Sequence, residues 1–518
     1  MSETPRMSKS EMRRRKRRNA LIVKLIIFIV LVVVLVVVIW FMSGGAKKVS
    51  QTATGRTTQT TSTGNNRITG GESGNENGQS SGSDGSVQTD NGNESSGDIA
   101  QSAFANQRAD LMNKARNLAA QYDYDAALET LESIPDYDSD AEIISLMADL
   151  ETQRSNLVAI SPYDVTHVFF HSLVVDPERG FSMKGEEIWD SQTPGFCQWM
   201  TTVYEFDKLM DQMYERGFVL VSLNDMIERT TDDDGTVHIS PKNIYLPQGK
   251  TPFVMSLDDT CYYHSYDGRG TASKLIVGDD GTPTCEYIDA SGNTLVGSYD
   301  CIPRLDDFID EHPDFSYKGA KGTVALTGYN GILGYRTDYC YRDRVDLYED
   351  QQAWLDAHPD YDWETECAKA KEVAECIKED GWTFASHTWG HIAIYDAMYE
   401  SLVADTEKFK EYVEPLIGET DIIIFAHGQD LAAWDEEYSS TDKFRFLKSQ
   451  GYNVFCNVDS SQYFVQLDDE YLRMGRRNLD GYRLWQAVYG GTNLLDDLCN
   501  PDEVFDPQRP TEASYYEL

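Results

Sequence analysis

The sequence predicts an α/β fold: a parallel sheet, open or closed as a barrel, set behind a membrane anchor. Three observations carry that prediction. From about Ile160, short β-branched or aromatic runs alternate with helical stretches, and such alternation builds parallel sheets from strand–helix–strand units. Acids and histidines stand just past several of those runs, at the strand ends where barrels do their chemistry. An apolar run over residues 20–42 follows a basic block at the N-terminus.

The N-terminus comes first in chain order. Eight Lys or Arg residues lie between Arg6 and Arg18 in the tail 1–19, and a basic block of this kind holds the N-terminus in the cytoplasm. The run 20–42 is dense in Val, Leu and Ile, and a bilayer core needs roughly 20 such residues as a helix. Only Lys24 interrupts it, near the start, where its stem can reach the interface. A cleaved signal peptide is the alternative, with Ser43–Ala46 as a weak cleavage site, but the length of the run favours an uncleaved single-pass anchor in the cell membrane. The rest of the chain is then expected outside the cell.

Residues 43–100 are rich in Ser, Thr, Gly, Asn and Gln and nearly lack large apolar side chains. Such a stretch cannot bury enough surface to fold and reads as a disordered tether. The formal net charge is −41, which excludes nucleic acid as a partner, since phosphates call for Lys and Arg. The nine cysteines include no C-x-x-C pair, so a cysteine zinc site has no support in the spacing. Cys285 and Cys301 flank a hairpin-like stretch and could pair in an oxidising compartment.

Residues 101–158 read as a helical hairpin of tetratricopeptide type. Leu111, Ala115, Leu118 and Ala119 recur at helical spacing, a turn falls around Tyr122–Tyr124, and Ala126, Ala127 and Leu131 follow. One such unit lacks the stacked neighbours of a repeat array. A spacer is the plainer reading, and recognition of a protein partner the sharper one.

The domain over 159–518 holds the strand-like runs THVFFHSLVV, FVLVSL, TPFVMSL, GTVALTG, WTFASH, DIIIFAH and YNVFCNV. Helices fall between several of them, including YEFDKLMDQMYERG, ETECAKAKEVAECIKEDG and YESLVADTEKFKEYVEPLIG. Two turn signals, Asp280-Gly281 and Ser291-Gly292-Asn293, mark a β-hairpin insertion within 262–320.

Chemistry concentrates at two strand ends. Asp258 and Asp259 follow TPFVMSL directly; alternating side chains let one acid face a metal while the other faces substrate. His387 follows WTFASH, with His391 four residues later, a spacing that lets both imidazoles reach one ion. Together they offer two His and one carboxylate with positions left open for water, a set suited to a hydrolytic divalent metal.

These motifs resemble those of the polysaccharide deacetylase (NodB-homology, carbohydrate esterase) family. Its T-F-D-D motif is similar to Ser256-Leu257-Asp258-Asp259, and its H-[ST]-x-x-H motif to His387-Thr388-Trp389-Gly390-His391. The resemblance covers roughly residues 165–460 and implies a distorted (β/α) barrel. It implies Asp258 as general base and Asp259, His387 and His391 as ligands of a divalent metal, zinc first, with cobalt, nickel or manganese as alternatives. Some members have circularly permuted motifs, with the last His-bearing strand placed first. VFFHSL fits that variant and makes His171 the general acid, with His427 in reserve.

The family's third motif carries an Arg that orients the base. The matching strand end here reads Phe425-Ala426-His427-Gly428, without one, and Arg336 in GYRT is the substitute within reach of the sequence. Trp389, Tyr329 and Trp434 offer flat faces for sugar rings, with His427 beside them. The expected activity is removal of N-acetyl groups from an extracytoplasmic polysaccharide, either peptidoglycan or poly-N-acetylglucosamine. The rival from another class is a non-catalytic glycan-binding or wall-scaffold protein, which the missing Arg would suit. A glycoside hydrolase needs two carboxylates spaced across a sugar ring, and the adjacent Asp258 and Asp259 do not supply that on their own.

Overall fold

Seven parallel strands close into a barrel. They are β1 (Thr166–Phe170), β2 (Thr251–Leu257), β3 (Thr323–Leu326), β4 (Thr383–Ser386), β5 (Ile422–Ile424), β6 (Val454–Val458) and β7 (Tyr471–Asn478). Each pairs with the next in chain order, β7 pairs with β1, and all these pairings are parallel. The open-sheet alternative is thereby excluded. The short strand Phe218–Leu220 adds to β2 outside the ring, and Val465–Asp468 runs antiparallel to β7.

This computed structural model describes residues 96–182, 190–432, 437–459 and 464–516, with side chains from 105 onward. The basic tail, the apolar run 20–42, most of the tether and Trp434 lie outside the described residues. Among the described residues, no helix is long and apolar enough to cross a membrane.

Alternation along the strands decides what faces the lumen. Val254, Ala325, Ala385, Ile422, Ile424, Val454, Cys456, Leu472 and Met474 point inward and share one apolar cluster. Their strand neighbours Val168, Phe170, Met255, Leu257, Val324, Leu326 and Phe384 point outward into a second cluster. There they meet helices such as α5 (Val203–Glu215), α6 (Cys301–Glu311) and α7 (Trp363–Glu379). Across the barrel, Ile423, Phe425 and Phe455 pack beneath α8 (Tyr399–Tyr412) and α9 (Asp442–Ser449).

The N-terminal helices belong to the same body. They are α1 (Ser96–Ala120), α2 (Tyr124–Glu132) and α3 (Ala141–Ser155), one more than a hairpin. Tyr122 makes the expected turn with φ of 65°, and Asp123 caps α2 by accepting the Ala126 N–H. Ala115, Ala127, Leu131 and Ile143 are buried in the cluster that fills the barrel lumen. Tyr122 Oη donates to the Asp314 carbonyl at 2.8 Å, and Lys318 N donates to the Gln121 carbonyl at 2.7 Å. The helices therefore floor the barrel instead of standing apart from it as a spacer.

Strand β7 was not legible as a strand, because three of its eight residues are Arg. Each has a carboxylate partner, which is what makes charge in a buried strand tolerable. Arg473 meets Asp430, Arg476 meets Asp258 and Arg477 meets Asp497. The insertion is a three-stranded antiparallel sheet over Ala272–Val277, Pro283–Ile288 and Thr294–Gly297, one strand more than a hairpin. All nine cysteines are free, Cys285 and Cys301 included.

Candidate metal centre

Because every barrel strand is parallel, all seven C-terminal ends open on one face. The inward register then carries specific side chains to that mouth: His171 from β1, Asp258 from β2, His387 from β4 and Arg476 and Asn478 from β7. Here the strands stop and the backbone bends sharply. Asp259, Thr388, His391 and His427 all adopt positive φ, between 51° and 63°, a conformation that costs non-glycine residues energy and gathers at functional sites.

Asp259, His387 and His391 converge. Each offers one ligand atom, and these atoms lie within 4.8 Å of one another. His387 Nε2 is 3.9 Å from Asp259 Oδ1, and His391 Nε2 is 3.6 Å from Asp259 Oδ2. The His387 Nδ1–H donates to the Ile424 carbonyl at 2.7 Å. That bond fixes the tautomer and leaves Nε2 as a lone-pair donor, the usual support for a metal-binding histidine. Burial lowers the His387 pKa against the pull of Asp258 and Asp259, which favours the neutral, ligating ring. For Asp259, burial works to raise the pKa, but His391, His387 and His171 together hold it below the usual carboxylate range. Tyr263 Oη also donates to Asp259 Oδ1 at 2.8 Å. The donor set of two imidazoles and one carboxylate fits a divalent ion of the zinc type.

The second acid is held differently. Arg476 grips Asp258 in a two-pronged ion pair, Nη1 to Oδ1 at 2.7 Å and Nη2 to Oδ2 at 2.9 Å. Arg476 is fully buried, donates to Ser256 Oγ at 3.0 Å, and lies over the Phe169 ring at 4.2 Å. Burial would raise the Asp258 pKa; the Arg476 charge, followed by that of His387, overcomes it and keeps the carboxyl far below its ordinary value. An Arg paired with Asp258, which the sequence did not show at Phe425–Gly428, is thus supplied by β7. Arg336 does another job: its guanidinium donates to the Tyr262 carbonyl at 2.9 Å.

His171 sits on the same pocket, of about 460 Å³, which is lined by Asp258, Asp259, His387, His391 and His427 among others. Its Nδ1 is buried and makes no hydrogen bond. Asp480, buried at the start of α10 (Gly481–Val488), interacts electrostatically with His171. Burial raises the Asp480 pKa, while the bonds from Asn478 and the Arg483 N–H pull it down. His427 packs edge-on against His391, ring centroids 4.3 Å apart, and its Nε2 meets the His391 carbonyl at 3.1 Å.

Two of the aromatic residues singled out by sequence, Trp389 and Tyr329, fall elsewhere. Trp389 lies half-buried against the core, where its ring fills the space that a side chain on Gly328 would need. Tyr329 stacks on Tyr263 at 4.8 Å beneath the site. Neither lines the pocket. The pocket-lining aromatics Trp199 and Tyr482 were missed, because they come from helices outside the barrel repeat.

Asp405 on α8 braces the histidine loop. Its carboxylate accepts the Trp389 N–H at 2.7 Å and the Gly390 N–H at 2.8 Å.

No family model matches the chain, and no curated protein matches it. Among solved structures the chain is similar to a Streptococcus pyogenes deacetylase, PplD, in complex with acetate. The TM-score is 0.31 and the identity 11%, over 64% of this chain and 98% of that one. So loose a superposition leaves the reading of this site to its own geometry.

Proposed function

We propose that the protein is a metal-dependent hydrolase that removes N-acetyl groups from a polysaccharide outside the cell membrane. The single observation behind this reading is the pairing of two differently held acids. Asp259 joins His387 and His391 in a metal-type cluster, while its neighbour Asp258 is kept ionised by Arg476. An amide hydrolase needs both parts, an electrophilic centre and a base beside it.

Asp259, His387 and His391 would hold the ion, which supplies Lewis-acid polarisation of the acetamide carbonyl and acidifies water. Asp258 takes the proton from the attacking water. Arg476 fixes both carboxylate oxygens, so the base meets that water in one orientation. His171, on the same pocket, gives a proton to the leaving amine. The products are acetate and a glucosamine unit. The apolar run 20–42 would anchor this domain to the membrane, with the tether giving it reach. The non-catalytic alternative leaned on a missing arginine, and Arg476 removes that support.

The test is acetate release from N-acetylglucosamine oligomers by the full chain, with and without chelator. Release that is lost with chelator and restored by zinc, cobalt, nickel or manganese supports the reading. Activity indifferent to both chelator and Asp259→Ala would overturn it.

A further inference from the structure

The catalytic pocket continues into a ledge that the proposed chemistry does not use. Trp199 ends α4 (Thr193–Trp199), and Tyr482 sits in the first turn of α10. Both line the pocket, with ring centroids 6.2 Å apart and planes inclined at 54°. Trp199 remains 37% exposed, which leaves part of an amphipathic aromatic side chain accessible to a ligand.

The backbone beneath this ring is held with care. Buried Arg509 donates to the carbonyls of Cys197, at 3.0 Å, and Met200, at 2.5 Å, on either side of Trp199. It is itself clamped by the fully buried Glu205. Thr201 Oγ1 donates to the Leu479 carbonyl at 2.7 Å, joining this segment to the chain just before α10. Gly481 completes the joint, since a Cβ there would come within 2.1 Å of the Cys197 carbonyl oxygen. Only glycine lets the two helices meet so closely. A rigid backbone that presents an exposed ring is a recognition surface, because it loses little entropy on binding.

We propose that Trp199 and Tyr482 form a platform for a second sugar of an N-acetylhexosamine chain, next to the unit being deacetylated. The inference rests on the deacetylase reading for its substrate class and adds which side chains hold the neighbouring unit of that polymer. A sugar ring has an apolar C–H face that stacks on an aromatic plane and a rim of hydroxyls that seeks polar partners. The ledge offers both, with Asn478, Asp480 and Arg483 lining the same pocket. The pocket volume of about 460 Å³ lies within the range of roughly 300–1,000 Å³ typical of small-molecule sites.

The test compares the full-length wild type with Trp199→Ala, Trp199→Phe and Tyr482→Ala. Binding of an N-acetylglucosamine tetramer is measured by calorimetry under chelator, and KM and kcat for its deacetylation are measured with metal. Trp199→Ala is expected to weaken tetramer binding and raise KM by about tenfold, in proportion to one lost stacking contact, with a much smaller change in kcat. Trp199→Phe should recover most of the loss, and matching melting temperatures exclude a folding defect. If acetate is released while Trp199→Ala binds the tetramer like wild type, the platform is wrong and the deacetylase reading stands. If Trp199 governs tetramer binding but no glycan releases acetate, the platform stands and the deacetylase reading fails. A wild type that binds no tetramer overturns the platform.

Discussion

The two ends of the barrel use the same strands under opposite rules. At the N-terminal end, the lumen is closed by Ala115, Leu131 and Ile143 from the helical floor, in one apolar cluster. At the C-terminal end, the inward positions become Asp258, His387 and Arg476, all buried. One end gains stability by removing apolar surface from water. The other holds the Asp258–Arg476 ion pair in low dielectric, tolerable only because the two charges meet. Four of the positive-φ residues, Asp259, Thr388, His391 and His427, gather at this mouth. The difference teaches that the floor pays for a strained and charged mouth, so damage at the two ends should look different.

The largest effects should separate the ends most sharply. His387→Ala or Asp258→Asn is expected to lower kcat for acetate release by about a thousandfold or more, as loss of an electrophile ligand or base does. An unchanged kcat would erase the distinction. His171→Ala should cost roughly a hundredfold or more in kcat, the usual contribution of a general acid, and a His427→Ala variant should cost less than that. If the order reverses, His427 is the acid. Arg476→Lys keeps the charge but loses the two-pronged grip, so a fall in kcat of about ten- to a hundredfold is expected with KM little changed.

At the floor, Leu131→Ala removes a fully buried side chain and should cost about 2–5 kcal/mol of stability. Denaturant melts check this, and activity per folded molecule should not move. Loss of activity in the folded variant would mean that the floor and the mouth are coupled.

The smallest expected effect is one of pH. Burial raises the Asp405 pKa from 3.8 to about 6, against the pull of the Gly390 and Trp389 amides. A raised folded value means that stability tied to this proton is full below 3.8 and is lost as pH rises through about 6. Asp405→Asn should therefore flatten the fall in melting temperature across that interval. An unaltered slope would show that Asp405 titrates normally.

Much of the mouth was legible because its signals are local. Asp258 with Asp259, and His387 with His391, lie within five residues of each other and directly after apolar strands. Strand–helix alternation located six of the seven barrel strands. The seventh, β7, was hidden because partners far away in sequence neutralise its arginines: Asp258 is 218 residues from Arg476. No local pattern announces such a pair. The amphipathic spacing of Ala115, Ala127 and Leu131 showed that a face is buried but not what buries it, which is why a barrel floor read as a spacer. Trp389 misled for a related reason. A Trp beside a ligand looks like a sugar contact, yet the small Gly328 opposite it draws the ring into the packing.

The central claim is that Asp259, His387 and His391 share one divalent cation, and metal content tests it most directly. After exhaustive dialysis of protein loaded with zinc, elemental analysis should find one ion per chain in the wild type. Each of Asp259→Ala, His387→Ala and His391→Ala should lose it while still folded. A wild type that retains no metal, or variants that retain it in full, would contradict the account.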